Sequence, residues 1–355
     1  MTHFIRSPDF ANLPPSLLAL FEQAAVSDGF FSHPGWYSVF SDFALAPNSE
    51  TRLYLDDLAA PAVAIPLVVR PGKERMMESL ANYYSCRHDL LCRTPAPEAS
   101  VTALVEKIAS ERPQWDRLMF HALDPLQSYF APLASALSRC GYSVETYCQF
   151  GTWYENTAGM SFRDFLARRP SQLRNIYKRK LAGIERQASL AFKLYHIGAG
   201  LEEAISDYEA IYRQSWKQPE PHPLFVANLA RFCARLGALR LGILSVDGRP
   251  AAAQLWIVWR GEATIFKLAH DQVWDRFSIG TLLTMRMMER VLDDDRPQRV
   301  DFGRGDDAYK RLWLPHRTER WGIIAVNWRT PRGFVAALRQ RAGAARRFMT
   351  RRSQD

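Results

Sequence analysis

Apolar and polar positions in the second half of the 355-residue chain follow two clear periods. Alternation with a period of two, bounded by turn residues, predicts strands at LAFKLYH (190–196), LRLGILS (239–245), AAAQLWIVW (251–259), ATIFKLA (263–269), RVDFG (299–303) and RWGIIAVNW (320–328). Asp247-Gly248 and Arg260-Gly261 are turn pairs that fold three of these strands into consecutive hairpins. Helical spacing predicts helices over 200–216 and 223–236, separated by the breaker KQPEPHP. It predicts another from about Ile279 to Leu292, with Leu282, Leu283, Met287 and Val291 on its apolar face, and a short one at DAYKRLW (307–313). Upstream, Phe162, Phe165, Leu166, Leu173, Ile176, Tyr177, Leu181 and Ile184 trace an amphipathic helix interrupted near Pro170.

The first half is less regular. Its pattern predicts helices near 15–27, 34–44, 98–111 and 126–139, and strands near 51–56, 62–70, 77–84, 117–121 and 142–149. Hairpin strands followed by helix, strand, helix and strand make a weaker copy of the second half, with AVAIPLVVR corresponding to AAAQLWIVWR. The expectation is two similar α/β (α+β) domains, 1–155 and 156–330, each a mixed, mostly antiparallel sheet flanked by helices. A basic segment, 331–355, follows.

Composition narrows the class. With 47% hydrophobic and 23% charged residues the chain is neither disordered nor collagen-like. No apolar run reaches the roughly 18 residues of a membrane span. The opening MTHFIRSPDF lacks a basic region followed by an apolar one, so a cytoplasmic protein is expected. Five cysteines with no CxxC pair argue against a disulfide framework.

The net charge is +9, and only eight of the 46 basic residues are lysine. Arginine suits bidentate binding of phosphate and carboxylate, so anionic partners are favoured. Two segments concentrate the charge. Residues 163–186 hold eight basic residues against Asp164 and Glu185, and 332–352 hold seven arginines and no acid. The first is either a plainly solvated helix face or a positive stripe on which Arg174, Lys178 and Lys180 are the candidate contacts to acceptor phosphates or a tRNA arm. The second is a basic amphipathic tail suited to peripheral contact with an anionic membrane, to tRNA, or to plain solvation.

Three places carry candidate chemistry. At the junction Asp275-Arg276-Phe277-Ser278-Ile279-Gly280-Thr281, free N–H groups at a helix start make an anion site. Ser278 is the expected N-cap there, and Gly280 lets a ligand approach the backbone. DFGRGDDAYKRLW (301–313) clusters Asp301, Arg304, Asp306, Asp307, Tyr309, Lys310 and Trp313 where a strand passes into a helix. Either this is a site that binds substrate and moves a proton, or it is a surface ion network over a core Tyr309 and Trp313. His270-Asp271 is a candidate general base, with a backbone-bonded loop histidine as the plainer reading. Trp216 is read as core. Cys86-Arg87-His88 with Cys92 has no fourth ligand at recognisable spacing, so no metal is expected.

The element order resembles the GNAT fold of N-acyltransferases. SQLRNIYKRKL (171–181), SWK (215–217), DGRPAAAQLW (247–256), KLAHD through FSIGTLL (267–283) and DFGRGDDAYKRLW (301–313) resemble its BioF2-like or CelD-like acetyltransferase branch, related to the Fem-type aminoacyltransferases. The resemblance covers roughly 150–330 well and implies tandem GNAT-like domains transferring an acyl group to an amine. Acyl-CoA or acetyl-CoA is the expected donor and cosubstrate, with aminoacyl-tRNA as the alternative. The acceptor is then a small amine, phosphorylated or lipid-linked, in cell-envelope, polysaccharide or specialised-metabolite synthesis. The family's phosphate loop maps onto Arg276, Ser278, Ile279, Gly280 and Thr281, although its Q/R-x-x-G-x-G/A spacing is one residue too long here and the second glycine is absent. Tyr309 falls where many such enzymes carry the acid for the leaving thiolate. Lys310 resembles the lysine of the Fem-type Phe-Lys pair, which stabilises charge on the acyl carbonyl. Asp306 and His270 complete the expected catalytic set. Arg174, Lys178, Asp301, Arg304, Asp307 and Trp313 are the expected substrate contacts. A non-catalytic scaffold on a degenerate fold is the remaining alternative.

Overall fold

A computed structural model describes residues 4–72, 74–92 and 95–339. They divide into two compact units. One takes the chain up to Ser41, Leu45–Phe150 and Glu319 onward; the other takes Gly151–Thr318 with Asp42–Ala44. Residues 340–355, most of the basic segment expected at 331–355, lie outside the described residues, while 331–339 are helical.

The first unit contains β1 (Phe4–Arg6), α1 (Pro15–Asp28), α2 (Pro34–Phe43), β2 (Glu50–Leu55), β3 (Val63–Val69), β4 (Met76–Ser79), β5 (Leu91–Cys92), α3 (Glu98–Ser110), β6 (Arg117–Leu123), α4 (Phe130–Arg139) and the start of β7 (Tyr142–Asn156). Neighbours pair antiparallel from β1 to β4, with Leu53 opposite Pro66 and Val68 opposite Glu78. β4 and β6 run parallel, Met77 opposite Leu118. α3 and α4 cover one face. Leu104, Val105 and Leu133 meet Tyr54, Ile65, Trp115 and Phe120 there in a closed apolar core.

The second unit follows with the end of β7, α5 (Phe162–Ala167), α6 (Ser171–Glu185), β8 (Leu190–Tyr195), α7 (Leu201–Gln214), α8 (Phe225–Arg235), β9 (Leu239–Val246), β10 (Arg249–Trp259), β11 (Glu262–His270), α9 (Ile279–Arg290), β12 (Arg299–Asp301) and the start of β13 (His316–Asn327). The strand order is β8, β9, β10, β11, β12, β7. All neighbours are antiparallel except β11 and β12, where Ala263 faces Val300. The pleat sends alternate residues of β10 to opposite faces. Ala252 and Trp256 join the core under α5, α6 and α9 with Ile265, Leu282, Leu283 and Met287. α7 packs on β10 and β11. α9 seats closely because β9 carries glycine at 242, where a Cβ would stand 2.2 Å from the Met287 Sδ. Between Leu255/Lys267 and Trp256/Ile265 the ladder slips, leaving Phe266 as a bulge. A bulge bends its strand and re-aims nearby side chains, and this one lies just before Lys267 and His270.

The predicted elements are present with shifted ends. The strand expected over 299–303 stops at Asp301, because the Asp301 carboxylate accepts the Gly303 N–H at 2.8 Å and turns the chain. The helix expected over 307–313 is a single 3-10 stretch, Ala308–Leu312. The loop after β11 holds another, Gln272–Phe277. Among the described residues no helix is long and apolar enough to cross a membrane.

Candidate active site

β11 delivers His270 to the edge of the second unit. The Asp271 carboxylate caps the following 3-10 turn by accepting the Val273 N–H at 3.0 Å. Asp271 is thus engaged with backbone, and the His270 partner is Asp275, whose Oδ1 lies 2.7 Å from Nε2. With Nε2–H donating to that carboxylate, Nδ1 carries the lone pair. Nδ1 is buried and has no hydrogen-bond partner among the described residues. It faces Gly280, where a Cβ would stand 3.1 Å away.

Ser278 starts α9 in a way the sequence does not anticipate. Its backbone is left-handed (φ 52°, ψ 50°) and its hydroxyl makes no cap bond. The Ser278 carbonyl accepts instead from Thr281 N–H at 2.9 Å and Leu282 N–H at 3.2 Å. A helix start leaves its first N–H groups without intrahelical acceptors, here those of Ile279 and Gly280, at the positive end of the helix dipole. A buried polar chain supports this turn from below. Trp256 Nε1 donates to Gln254 Oε1 (2.8 Å), Gln254 Nε2 donates to Thr284 Oγ1 (2.6 Å), and the Thr284 hydroxyl donates to the Gly280 carbonyl (2.8 Å). Ile279 is buried and Thr281 half-buried. Arg276 is exposed, its guanidinium 4.6 Å over the Phe277 ring and 3.3 Å from Gln187.

The loop after α7 closes over this junction. Trp216, expected in the core, is 51% exposed, and its ring centroid stands 4.6 Å from that of His270. Lys217 follows, its ammonium 5.6 Å from the Trp216 ring and 5.8 Å from the Tyr212 ring. Desolvation, then the nearby Lys267 charge, lower its pKa to about 8, while Glu220 and Asp307 pull the other way. Lys267 is bound to Glu220 at 2.6 Å. Lys217 enters the sequence reading only as the end of SWK, and Asp275 only as the start of the anion junction. Their contacts are not visible there, because Trp216 and Lys217 arrive from the loop after α7 and Asp275 returns to His270 through a 3-10 turn.

The Asp301–Trp313 stretch resolves into distinct parts. The Lys310 side chain is 5% exposed, and its Nζ donates to the carbonyls of Phe302 (3.0 Å), Arg304 (2.9 Å) and Gly305 (3.1 Å), with Asp307 at 3.6 Å. Three carbonyls match the three ammonium hydrogens, so Lys310 clamps its own loop. Asp301 is buried and accepts the Thr152 hydroxyl at 2.6 Å. Asp306 receives Trp153 Nε1 and Arg317 Nε, both at 2.8 Å, and the Arg317 charge holds its carboxyl below the usual range. Trp313 is buried against Phe302, and Arg304 is half-buried. Tyr309 is 44% exposed, with its phenol pushed up to about 12 by desolvation and by Asp307. The structure thus brings His270 to Gly280 and Lys310 to Asp307, and the Asp307 charge is felt by Lys217. Arg174 and Lys178 stand on α6. Lys178 lines a shallow cleft of about 500 Å³ formed by that helix alone. No group of three or more His, Cys, Asp or Glu among the described residues is arranged to hold a metal ion.

Residues 171–311 match the family model of the acetyltransferase (GNAT) domain. Similar solved structures include FemX (9% identity, TM-score 0.58, covering 86% of this chain and 95% of that one). A tandem GNAT protein from the clavulanic acid biosynthesis pathway aligns at 14% identity and TM-score 0.52, covering 90% and 98%. L-PGS from Bacillus licheniformis aligns at 11% identity and TM-score 0.51, covering 88% and 92%. A comparison with curated protein sequences found no match. The stretch that resembles a GNAT acetyltransferase domain thus lies within the second unit. The α/β fold, a mostly antiparallel sheet flanked by helices, is the expected one.

Proposed function

We propose that the second unit transfers an acyl group from acyl-CoA, with acetyl-CoA the simplest case, to the amine of a small acceptor. The observation that carries this reading is the open start of α9, backed by His270 at Gly280, where the free N–H groups of Ile279 and Gly280 make an anion site. The N–H groups of Ile279 and Gly280, with Ser278, Thr281 and the exposed Arg276 beside them, would hold the donor pyrophosphate. His270, its ring fixed by Asp275, backs this turn, and the proton of the attacking amine passes to water. The amine nitrogen bonds to the acyl carbon, the carbon–sulfur bond breaks, and the thiolate takes a proton from Tyr309, whose phenol stays protonated at neutral pH. Lys310 holds the loop that presents Tyr309. Asp307 and Arg304 line the acceptor side. Two of the similar structures are FemX and a tandem GNAT protein from the clavulanic acid biosynthesis pathway, which supports a role in cell-envelope, polysaccharide or specialised-metabolite synthesis.

A second reading keeps the chemistry and changes the donor to aminoacyl-tRNA. The exposed Lys178 and Arg179 on α6, together with the likeness to FemX, favour it. A third reading is a non-catalytic binding module. Thermal unfolding with coenzyme A, acetyl-CoA and longer acyl-CoAs separates them. A ligand bound only to the native state adds about 2.7 kcal/mol at about 100 times its Kd. The first reading predicts such a shift. No shift across the panel, with tRNA affinity falling steeply with salt, selects the second. Neither response leaves the third.

A further inference from the structure

The helix over 331–339, in the first unit, is built inside out. Gly333 and Ala337 are buried, and Ala336 is half-buried. A Cβ on Gly333 would stand 1.9 Å from the Asn327 carbonyl oxygen, so the helix approaches the body through its smallest residues. Its large apolar residues point the other way: Phe334, Val335 and Leu338 are 49%, 48% and 54% exposed. At about 100° per residue these three share an arc of roughly 100°. A helix folded onto a core does the reverse. Trp328, just before the helix, is also exposed. The start of the helix is fixed, because the Thr330 hydroxyl accepts the Gly333 N–H at 3.1 Å.

Arginines frame this face. Arg332 and Arg339 lie exposed along the same helix. Arg75, Arg112, Arg329 and Arg332 line a cleft of about 540 Å³ at its start, and Asp116 is the one carboxylate among the lining residues. That carboxylate accepts the Arg75 backbone N–H at 3.0 Å. Arg75 lies 4.8 Å over the Trp115 ring, and Arg112 is braced on the carbonyls of Ser110 and Glu111, both at 2.9 Å. The Arg75 and Arg112 groups are thus held in place at the start of the helix that carries the apolar face.

We propose that this surface docks the protein on a bilayer rich in anionic phospholipid. Phe334, Val335, Leu338 and Trp328 enter the headgroup boundary, where Trp is favoured, and the arginines take lipid phosphates. A nucleic acid would use the arginines and leave Val335 and Leu338 in water. A second copy bound through the same face would set two arginine clusters against each other. The inference is independent of the acyl-transfer reading.

Co-sedimentation of the full chain tests it, using vesicles of equal parts phosphatidylglycerol and phosphatidylcholine against pure phosphatidylcholine. Binding is expected to the anionic vesicles only and to weaken with salt. Phe334→Glu with Leu338→Glu is expected to abolish it with an unchanged melting temperature, since both residues are exposed. Arg329→Gln and Arg112→Gln are each expected to lower partitioning about fivefold, from roughly 1 kcal/mol per basic residue near a charged surface. Full binding by the double glutamate variant overturns the proposal. So does stabilisation by inorganic phosphate without vesicle binding, which marks a soluble phosphate ligand. Light scattering that shows a dimer lost in the double variant, with no vesicle binding, overturns it in favour of a second copy.

Discussion

Gly280 and His270 are fitted to each other: a Cβ at 280 would stand 3.1 Å from His270 Nδ1, while Nε2 is held 2.7 Å from Asp275. If this pair holds the first turn of α9 in its donor-binding shape, His270→Gln should weaken coenzyme A binding about tenfold, a loss of roughly 1.4 kcal/mol, and leave kcat at saturating donor close to wild type. Asp275→Asn should give a smaller loss of the same kind. Gly280→Val should act on the donor, weakening its binding about tenfold for a loss of roughly 1.4 kcal/mol. Equal coenzyme A affinity for His270→Gln and wild type would remove the histidine from the donor site.

Lys217 makes a prediction at alkaline pH. Its pKa in the folded chain is about 8, against 10.5 for a free lysine. Between those values the unfolded chain binds more protons than the folded one, so stability rises with pH across the window. The rise is at most about 1.4 kcal/mol per pH unit. Denaturant unfolding of Lys217→Met should lack it. Parallel curves for the two proteins would show that Lys217 is solvated.

His88 acts at the acid end. It is fully buried in the first unit, its Nδ1 3.4 Å from the Tyr37 hydroxyl, and desolvation lowers its pKa to about 4 despite the Asp89 charge beside it. The unfolded chain takes up this proton from about pH 6.5 downward and the folded chain resists to about 4. Stability is therefore lost as pH falls through that window. His88→Gln should flatten this part of the profile in urea unfolding. An unchanged slope would assign the acid sensitivity to the carboxylates alone.

The second unit also holds a buried ion pair, with Arg169 Nη2 2.8 Å from Glu155 Oε1. Arg169→Met strands the carboxylate and should cost about 3–5 kcal/mol. Adding Glu155→Leu should recover most of it, because the second change removes the unpaired charge. A double variant as unstable as the single would place the cost in lost packing.

Much of the architecture is legible in the chain because its strands alternate cleanly and its turns carry glycine. Arg249–Trp259 and Glu262–His270 are read almost to the residue. What fails is what depends on contact across the fold. The three-residue β1 is too short to show a period, and it exists through pairing with β2. Ser278 has the composition of an N-cap, yet its left-handed backbone turns its hydroxyl away from that role. Trp216 has the composition of core and is spent on covering His270 instead. Asp275 is hidden because a 3-10 turn, not a simple loop, brings it back to His270. Lys310 is legible as special, but its three carbonyl acceptors are set by how the loop closes.

The central claim is that the first turn of α9 receives the donor. Hydrogen exchange with and without saturating coenzyme A reads that turn directly. Slowed exchange over 275–285, with residues 45–140 unchanged, is the predicted result. Unaltered exchange over 275–285, whether or not another segment is protected, would contradict it.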